Sequence, residues 1–199
     1  MRTIRACVLL PFLVLLAGAA GAQEIQAPPA GTEFVMRCGG EQSTWVIAEN
    51  ANGMVRVHQA GRPERYRLAP AWAYLLADIY DALGTGQGTI RMTRLRGPEQ
   101  GIRKLAVGDR HRFTYQWAAA RGEAERTHTI TVRGQRRVAT AAFGEQEVFD
   151  VVDESSSSYH DLRREVQYAP ALKMFVSFKV RNNRTNFEQA CELASLKAP

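Results

Sequence analysis

Apolar and polar side chains alternate with a period of two along most of the chain after Gly88. The clearest stretch is 112–117, where every second residue is aromatic: Phe113, Tyr115 and Trp117. The same alternation continues over 127–132, 138–143, 148–152 and 174–180. A period of two is typical of strands with one buried face. On 162–168, Arg164 is the one charged residue on an otherwise apolar face, and alternation directs His128 inward.

Short strands are also predicted before this region, over 34–37, 44–49, 54–58 and 66–68. Asn50 to Gly53 predicts a turn between two of them, because Asn and Gly tolerate positive φ. Further along the chain, Gly134-Gln135 and Asn182-Asn183 predict turns, and the polar run 155–158 predicts a break between strands.

One segment has the helical period. In residues 70–83, apolar side chains recur at the spacing of a single helical stripe: Trp72, Leu75, Leu76, Ile79, Tyr80 and Leu83. Pro70 suits a first turn and Gly84 suits a C-terminal cap. The tail, 186–196, fits either a helix opened by a capping box or a strand, and we favour the strand. The predicted fold is mainly β, an antiparallel sandwich or a curved half-barrel sheet with one amphipathic helix at about 70–83.

The first 22 residues have the pattern of a signal peptide. Arg2 and Arg5 precede an apolar run, and Ala20-Gly21-Ala22 fits a signal-peptidase site. The apolar run is shorter than the ~20 residues that span a bilayer. We therefore predict a signal peptide over 1–22, a flexible leader over 23–31 and a single β-rich domain over 32–199. The expected location is periplasmic or secreted, with no transmembrane segment after cleavage following Ala22.

The cysteine content agrees with export. Cleavage would remove Cys7 and leave Cys38 and Cys191. Two cysteines in an oxidising compartment favour one disulfide, which would join the first predicted strand to the last segment. Two separate buried thiols are the alternative.

Several C-terminal segments carry a resemblance to a known group of proteins. These segments are 134–143, 148–152, the Tyr168-Ala169-Pro170-x-Leu172 bend, 174–180 and Glu192-Leu193. They resemble the C-terminal part of uncharacterised secreted β-rich domains of bacterial envelopes. The resemblance covers roughly the last 70 residues. It implies a β-rich fold and an envelope location, and it implies no catalytic residues.

No motif in the sequence specifies catalysis. The four histidines lack metal-ligand spacing, and neither a Gly-x-Ser-x-Gly elbow nor a Ser-x-x-Lys motif is present. The acidic pairs Glu145/Glu147 and Asp153/Glu154 are predicted to form solvated edges. His128 is predicted to be a hydrogen-bonded core residue. We therefore expect no catalytic site, no metal and no cofactor.

Charge and aromatic content suggest binding functions. The chain has 199 residues and a formal net charge of +6, carried mostly by arginines that fit either a solvated face or an anion-binding face. Export disfavours a nucleic-acid partner. The predicted function is a non-catalytic envelope protein that binds an amphipathic or lipid-like ligand. The alternatives are an interaction domain of an envelope assembly and, less favoured, an unrecognised hydrolase.

The predicted ligand site combines two kinds of side chain. Aromatic residues would line a cavity, although they serve equally well as core: Trp72, Tyr80, Phe113, Tyr115 and Trp117. Arginines would neutralise an anionic head group at its rim: Arg65, Arg67, Arg94 and Arg112.

Overall fold

Strands account for most of the chain that the computed structural model describes, which comprises residues 22–71, 90–96, 102, 104–119, 122–157 and 161–199. In order, the strands are β1 (Gln23–Glu24), β2 (Glu33–Cys38), β3 (Glu41–Ala51), β4 (Met54–Gln59), β5 (Tyr66–Pro70), β6 (Ile90–Arg96), β7 (Lys104–Leu105), β8 (Arg110–Ala119), β9 (Gly122–Thr140), β10 (Gly144–Ser157), β11 (Asp161–Ala169), β12 (Met174–Asn182) and β13 (Phe187–Lys197). A 3-10 turn, Pro170–Leu172, joins β11 to β12. The prediction of a mainly β fold is confirmed.

Eleven of these strands form one continuous curved sheet. Their order is β10-β11-β12-β13-β2-β3-β4-β5-β6-β8-β9, and β9 pairs in turn with β10. All neighbours are antiparallel except β5 and β6, which are parallel. We call this arrangement the closed sheet. Because each of its strands pairs on both sides, the closed sheet, as far as the described residues show it, has no edge strand of the kind on which other chains can add.

The inner face of the closed sheet holds two kinds of side chain at its two ends. At the end where turns 52–53, 141–143 and 170–173 connect strands, the interior is apolar, and its largest fully buried side chains include Phe34, Met36, Tyr168 and Phe175. We call this the apolar end. At the opposite end, where turns 39–40, 60–65 and 183–186 connect strands, buried polar and charged side chains occupy the inner face. We call this the polar end.

The N-terminal strap, residues 22–31, lies against the apolar end rather than forming the flexible leader expected from its prolines. Gln23–Glu24 pairs with Lys104–Leu105, and Ile25 is buried in the core. The Tyr168 hydroxyl accepts a hydrogen bond from the Gln26 N–H (3.0 Å) and donates one to the Gln26 carbonyl (2.7 Å). These contacts give the strap's backbone groups the partners that burial demands.

Two predicted breaks are continuous strand. β9 runs through Gly134-Gln135, and its turn comes at 141–143. The register of β9 shifts opposite Asp150 and Val151, which leaves Arg133 as the extra residue of a bulge. Gly134 follows it directly, and a glycine inside a strand often marks such a bulge. Likewise Ser155 to Ser157 belong to β10, because Ser155 pairs with His128 and Leu162 on its two sides. Long-range pairing overrides the local turn preference of Gly and Ser.

The structure corrects the first residue of the predicted helix. Pro70 is the last residue of β5, where it pairs with Met54, so the first residue of the predicted helix is strand. Ala71, the next residue, has helical backbone. Residues 72–83 of the predicted helix, and the glycine-rich stretch after it, lie outside the described residues. The tail is a strand, Phe187–Lys197, and this confirms the alternative that we favoured.

A disulfide joins Cys38 to Cys191, as predicted. The two residues are direct partners in the pairing of β2 with β13, the seam at which the first long strand meets the last. The sequence separation is 153 residues. A covalent bond at this position restricts the unfolded chain more than a bond closing a short loop would.

We predict that the double variant Cys38→Ala/Cys191→Ala loses about 4–5 kcal/mol in free energy of unfolding, since its unfolded chain regains the loop entropy. Urea unfolding of the oxidised wild type, the reduced wild type and the variant measures this. The reduced wild type should match the variant. Equal stability of all three would contradict the prediction.

Tyr168→Phe should lower the free energy of unfolding by about 1–3 kcal/mol, because both backbone groups of Gln26 lose a buried partner. Hydrogen exchange at the Gln26 amide should also become faster in this variant.

Burial raises the pKa of Tyr168 to about 12. The stabilisation from Tyr168 is thus complete below pH 10 and is lost as the pH rises towards 12. Between pH 9 and 11, the free energy of unfolding measured with urea should therefore fall less steeply with pH in the variant than in the wild type.

Candidate functional site

A group of charged and polar side chains is buried on the inner face at the polar end. We call it the inner cluster: Arg126, His128, Asp153, Ser155 and Arg164. It forms because three neighbouring strands present alternate residues inward at the same level. Asp153 pairs with Arg164 across β10 and β11, and Ser155 pairs with His128 across β10 and β9.

Asp153 is the centre of the inner cluster. Its Oδ1 lies 2.7 Å from His128 Nδ1, and its Oδ2 accepts a hydrogen bond of 2.9 Å from Arg164 Nη1. The same Arg164 nitrogen donates to Ser155 Oγ at 3.1 Å. Asp153 and His128 have no exposed surface and Arg164 is 1% exposed. Burial of ionised groups is tolerated only with such pairing, because each would otherwise lose its hydration without replacement.

On the outer face of β10 and β11, the residues adjacent to Asp153 and Arg164 form a second ion pair. Glu154 pairs with Arg163 in register, and their side chains meet at 2.8 Å between Arg163 Nη1 and Glu154 Oε1. Both side chains are substantially exposed. The hairpin thus places Asp-Glu opposite Arg-Arg, so that each face receives one ion pair. The sequence signal for this arrangement is a pair of adjacent acids before the serine-rich stretch 155–158 and a pair of adjacent arginines after it.

Further side chains line the inner face near the cluster. The Phe113 ring stacks on the His128 ring, with centroids 5.2 Å apart and planes 4° from parallel. Arg126 is 5% exposed and Arg67, on β5, is 9% exposed. Burial lowers the pKa of Arg67. The described inner face at this end therefore carries three guanidinium groups, one carboxylate and one imidazole.

The cluster contains groups that can transfer protons and groups that can bind anions. His128 beside Asp153 resembles the oriented base of a nucleophilic site. The neighbouring hydroxyl, on Ser155, accepts a hydrogen bond from Arg164, and His128 Nδ1 faces Asp153. Arginine forks do bind carboxylate and phosphate groups well.

The structure separates the predicted rim arginines. Arg67 lies on the inner face, as a ligand-binding residue would. Arg65 and Arg112 are exposed, and Arg65 lies near Glu64 at 3.8 Å. The backbone of Arg94 belongs to β6.

The predicted aromatic residues also divide. Phe113 is buried beside His128, and the backbones of Tyr115 and Trp117 lie opposite Arg126 and Ala124 in the pairing of β8 with β9. Trp72 and Tyr80 lie outside the described residues.

The acidic pairs give one correction. Glu145, Glu147 and Glu154 are exposed, as predicted for solvated edges. Asp153 is instead completely buried, because the register of β10 turns it inward to face Arg164. His128 is the hydrogen-bonded core histidine that the alternation predicted. Within the described ranges, no group of three potential metal ligands comes together, and no helix is long and apolar enough to cross a membrane.

Comparison with known proteins finds likeness in structure alone. No protein-family model matches the chain, and no curated protein matches its sequence. A solved structure described as an exported protein with a YmcC-like fold, from Bacteroides fragilis NCTC 9343, is 13% identical with a TM-score of 0.53, covering 87% of this chain and 99% of its own.

Two lipoprotein structures extend the comparison. One, described as a lipoprotein from Parabacteroides distasonis ATCC 8503, is 9% identical with a TM-score of 0.52, covering 89% of this chain and 100% of its own. The hypothetical lipoprotein YmcC from Escherichia coli K12 is 10% identical with a TM-score of 0.46, covering 89% and 91%. The likeness to the Bacteroides and Parabacteroides structures establishes a shared fold.

Replacing Asp153 tests the structure of the inner cluster. Asp153→Asn should lower the free energy of unfolding by about 3–5 kcal/mol, because it leaves the buried Arg164 charge without its carboxylate. The matched control is Glu154→Gln, which removes the neighbouring exposed carboxylate and should change stability by less than about 0.5 kcal/mol. Urea unfolding of both variants decides it, and similar effects would show that Asp153 is not the buried centre.

Proposed function

We propose that this chain is a non-catalytic protein of the bacterial envelope that binds an amphipathic ligand with an anionic group inside the polar end of the closed sheet. The observation that carries the proposal is that Arg67, Arg126 and Arg164 are all buried on the inner face at the polar end. Guanidinium groups held in a low-dielectric interior bind carboxylates and phosphates more strongly than exposed ones do.

The interior also offers the apolar surface that the rest of such a ligand needs. Phe113 lies beside the inner cluster, and Ile130 follows two residues after His128 on the same face of β9. Towards the apolar end, the buried side chains become predominantly hydrophobic. A ligand with an anionic head and an apolar tail matches this change of polarity along the inner face.

Three observations support the envelope location. The first 22 residues have the pattern of a signal peptide. The Cys38–Cys191 disulfide fits an oxidising compartment. The structures with the same fold are described as an exported protein and a lipoprotein.

The alternative of an interaction domain that docks through a free strand edge has less support. Each described strand of the closed sheet already has two neighbours. The hydrolase alternative is also weaker, because no motif in the sequence specifies a nucleophile and its base.

Ligand binding is tested with three amphiphiles that share one chain length: tetradecanoate, tetradecanol and tetradecyltrimethylammonium. Native mass spectrometry and displacement of a fluorescent fatty acid measure the affinities. We expect tetradecanoate to bind at least about tenfold more tightly than the alcohol, a difference of about 1.4 kcal/mol, since only the anion pairs with the arginines. The ammonium amphiphile should not compete.

Arg126→Gln should reduce this preference for the anion, whereas Arg112→Gln, an exposed change on β8, should leave it intact. Circular dichroism checks that both variants fold. Equal binding of all three amphiphiles, no binding, or an equal effect of the two variants would refute the proposal.

A further inference from the structure

A groove of about 670 Å3 runs across the outer face of the closed sheet, away from the inner cluster. Its floor is formed by β10, β11, β12 and β13. The Gly39-Gly40 turn lies at one end, and the bulged part of β9 lies at the other. Charged, polar and apolar side chains share its lining, and it is independent of the site proposed above.

The floor of the groove is a single row of side chains that crosses the strands. Register pairs Arg37 with Glu192, Glu192 with Ser177, Ser177 with Gln167, and Gln167 with Asp150. Hydrogen bonds connect much of the row: Arg37 Nη1 donates to Glu192 Oε1 (2.9 Å), and Ser177 Oγ donates to Gln167 Oε1 (2.8 Å). The row therefore presents a fixed series of donors and acceptors to the outside.

The bulge in β9 adds a second cation at its end of the groove. Arg136 donates to both carboxylate oxygens of Asp150, at 2.6 and 3.2 Å. The register shift brings Arg133 into the lining of the same groove. Arg133 is exposed, and no described side chain forms an ion pair with it. Bulges redirect side chains at functional positions, and here the redirected group is a cation.

Length and charge define what fits the groove. From β2 to β9 is five interstrand steps, about 24 Å, which an extended polypeptide spans with about seven residues. The lining has four cationic side chains, at Arg37, Arg133, Arg136 and Lys179, and three anionic ones. Arg37, Arg136 and Lys179 already pair with Glu192, Asp150 and Glu188 respectively. Arg133 is therefore the cation of the lining that favours an acidic segment.

Other occupants fit less well. The exposed large hydrophobic residues of the described chain, Val107 and Phe187, lie outside the groove, so it offers nothing to insert into a bilayer. The aromatic residue of the lining, Phe178, is buried and presents no face for a sugar ring.

We propose that this groove is a docking site for an extended acidic segment of a partner protein, with Arg133 as its principal anchor. The segment lies across β10 to β13, and its carboxylates pair with Arg133 at one end and compete with Glu192 and Glu188 for Arg37 and Lys179 towards the other.

The test uses fluorescein-labelled seven-residue peptides on the full folded chain. The acidic peptide alternates Glu and Ser, the neutral one Gln and Ser, and the basic one Lys and Ser. Fluorescence anisotropy measures binding, and amide chemical-shift changes locate it. We expect binding of the acidic peptide with shifts at Gln167, Ser177 and Arg133. Arg133→Glu should weaken it by about tenfold, because repulsion replaces attraction.

Arg137→Glu is the matched control, since Arg137 is exposed on the same strand outside the groove and the change in net charge is identical. It should weaken binding by less than about twofold. Equal weakening by both variants would reveal a general charge effect and overturn the proposal. So would shifts outside the groove, equal binding of the neutral peptide, or tighter binding to phosphatidylglycerol vesicles or to an anionic polysaccharide than to the acidic peptide.

Discussion

The pairing of β13 with β2 is the contact on which the closed sheet depends. It joins residues 187–197 to residues 33–38, and the Cys38–Cys191 disulfide lies within it. Without this seam, β2 and β13 would each present a row of unpaired backbone groups, and the inner face would open to water. With it, the interior becomes a low-dielectric space in which every charged side chain must be compensated.

That requirement accounts for the organisation of β10 and β11. A carboxylate and a guanidinium meet on each face, but their surroundings differ. Glu154 and Arg163 are exposed, so their attraction is screened and contributes little. Asp153 and Arg164 are buried, so each depends on the other and the arrangement is specific. The buried pair organises a candidate binding site, while its counterpart lies on the solvent-exposed face.

Local sequence patterns correctly predicted those elements whose conformation does not depend on the strands beside them. The alternation around Phe113 and along 174–180 identifies strands, and the Asn52-Gly53 turn has the positive φ values that its residues favour. Gly134 and Ser155 misled the prediction because their conformation is set by β10 and β9 respectively. Cys38–Cys191 was predictable because only two cysteines remain after the leader.

The inner cluster could be predicted only in part. Alternation placed His128 inward and marked Arg164 as the charged residue on an apolar face. The burial of Asp153 depends on the register of two strands and on the pairing of acids with arginines across a hairpin, which no single-strand pattern contains. The outer groove was even harder to predict from the sequence, because its lining combines residues from β2, β10, β11, β12 and β13. Two of its hydrogen-bonded partners, Arg37 and Glu192, are 155 positions apart.

The position of the seam also has a kinetic consequence. Since the disulfide partners of β2 and β13 are 153 residues apart in sequence, the sheet cannot close until the whole segment between these two strands has emerged. Non-local contacts of this kind slow folding and leave incomplete sheets exposed to association with other chains. Until β13 arrives, β2 is an open edge, and its charged residues, Glu33 and Arg37, are the kind that discourage a wrong strand from adding there.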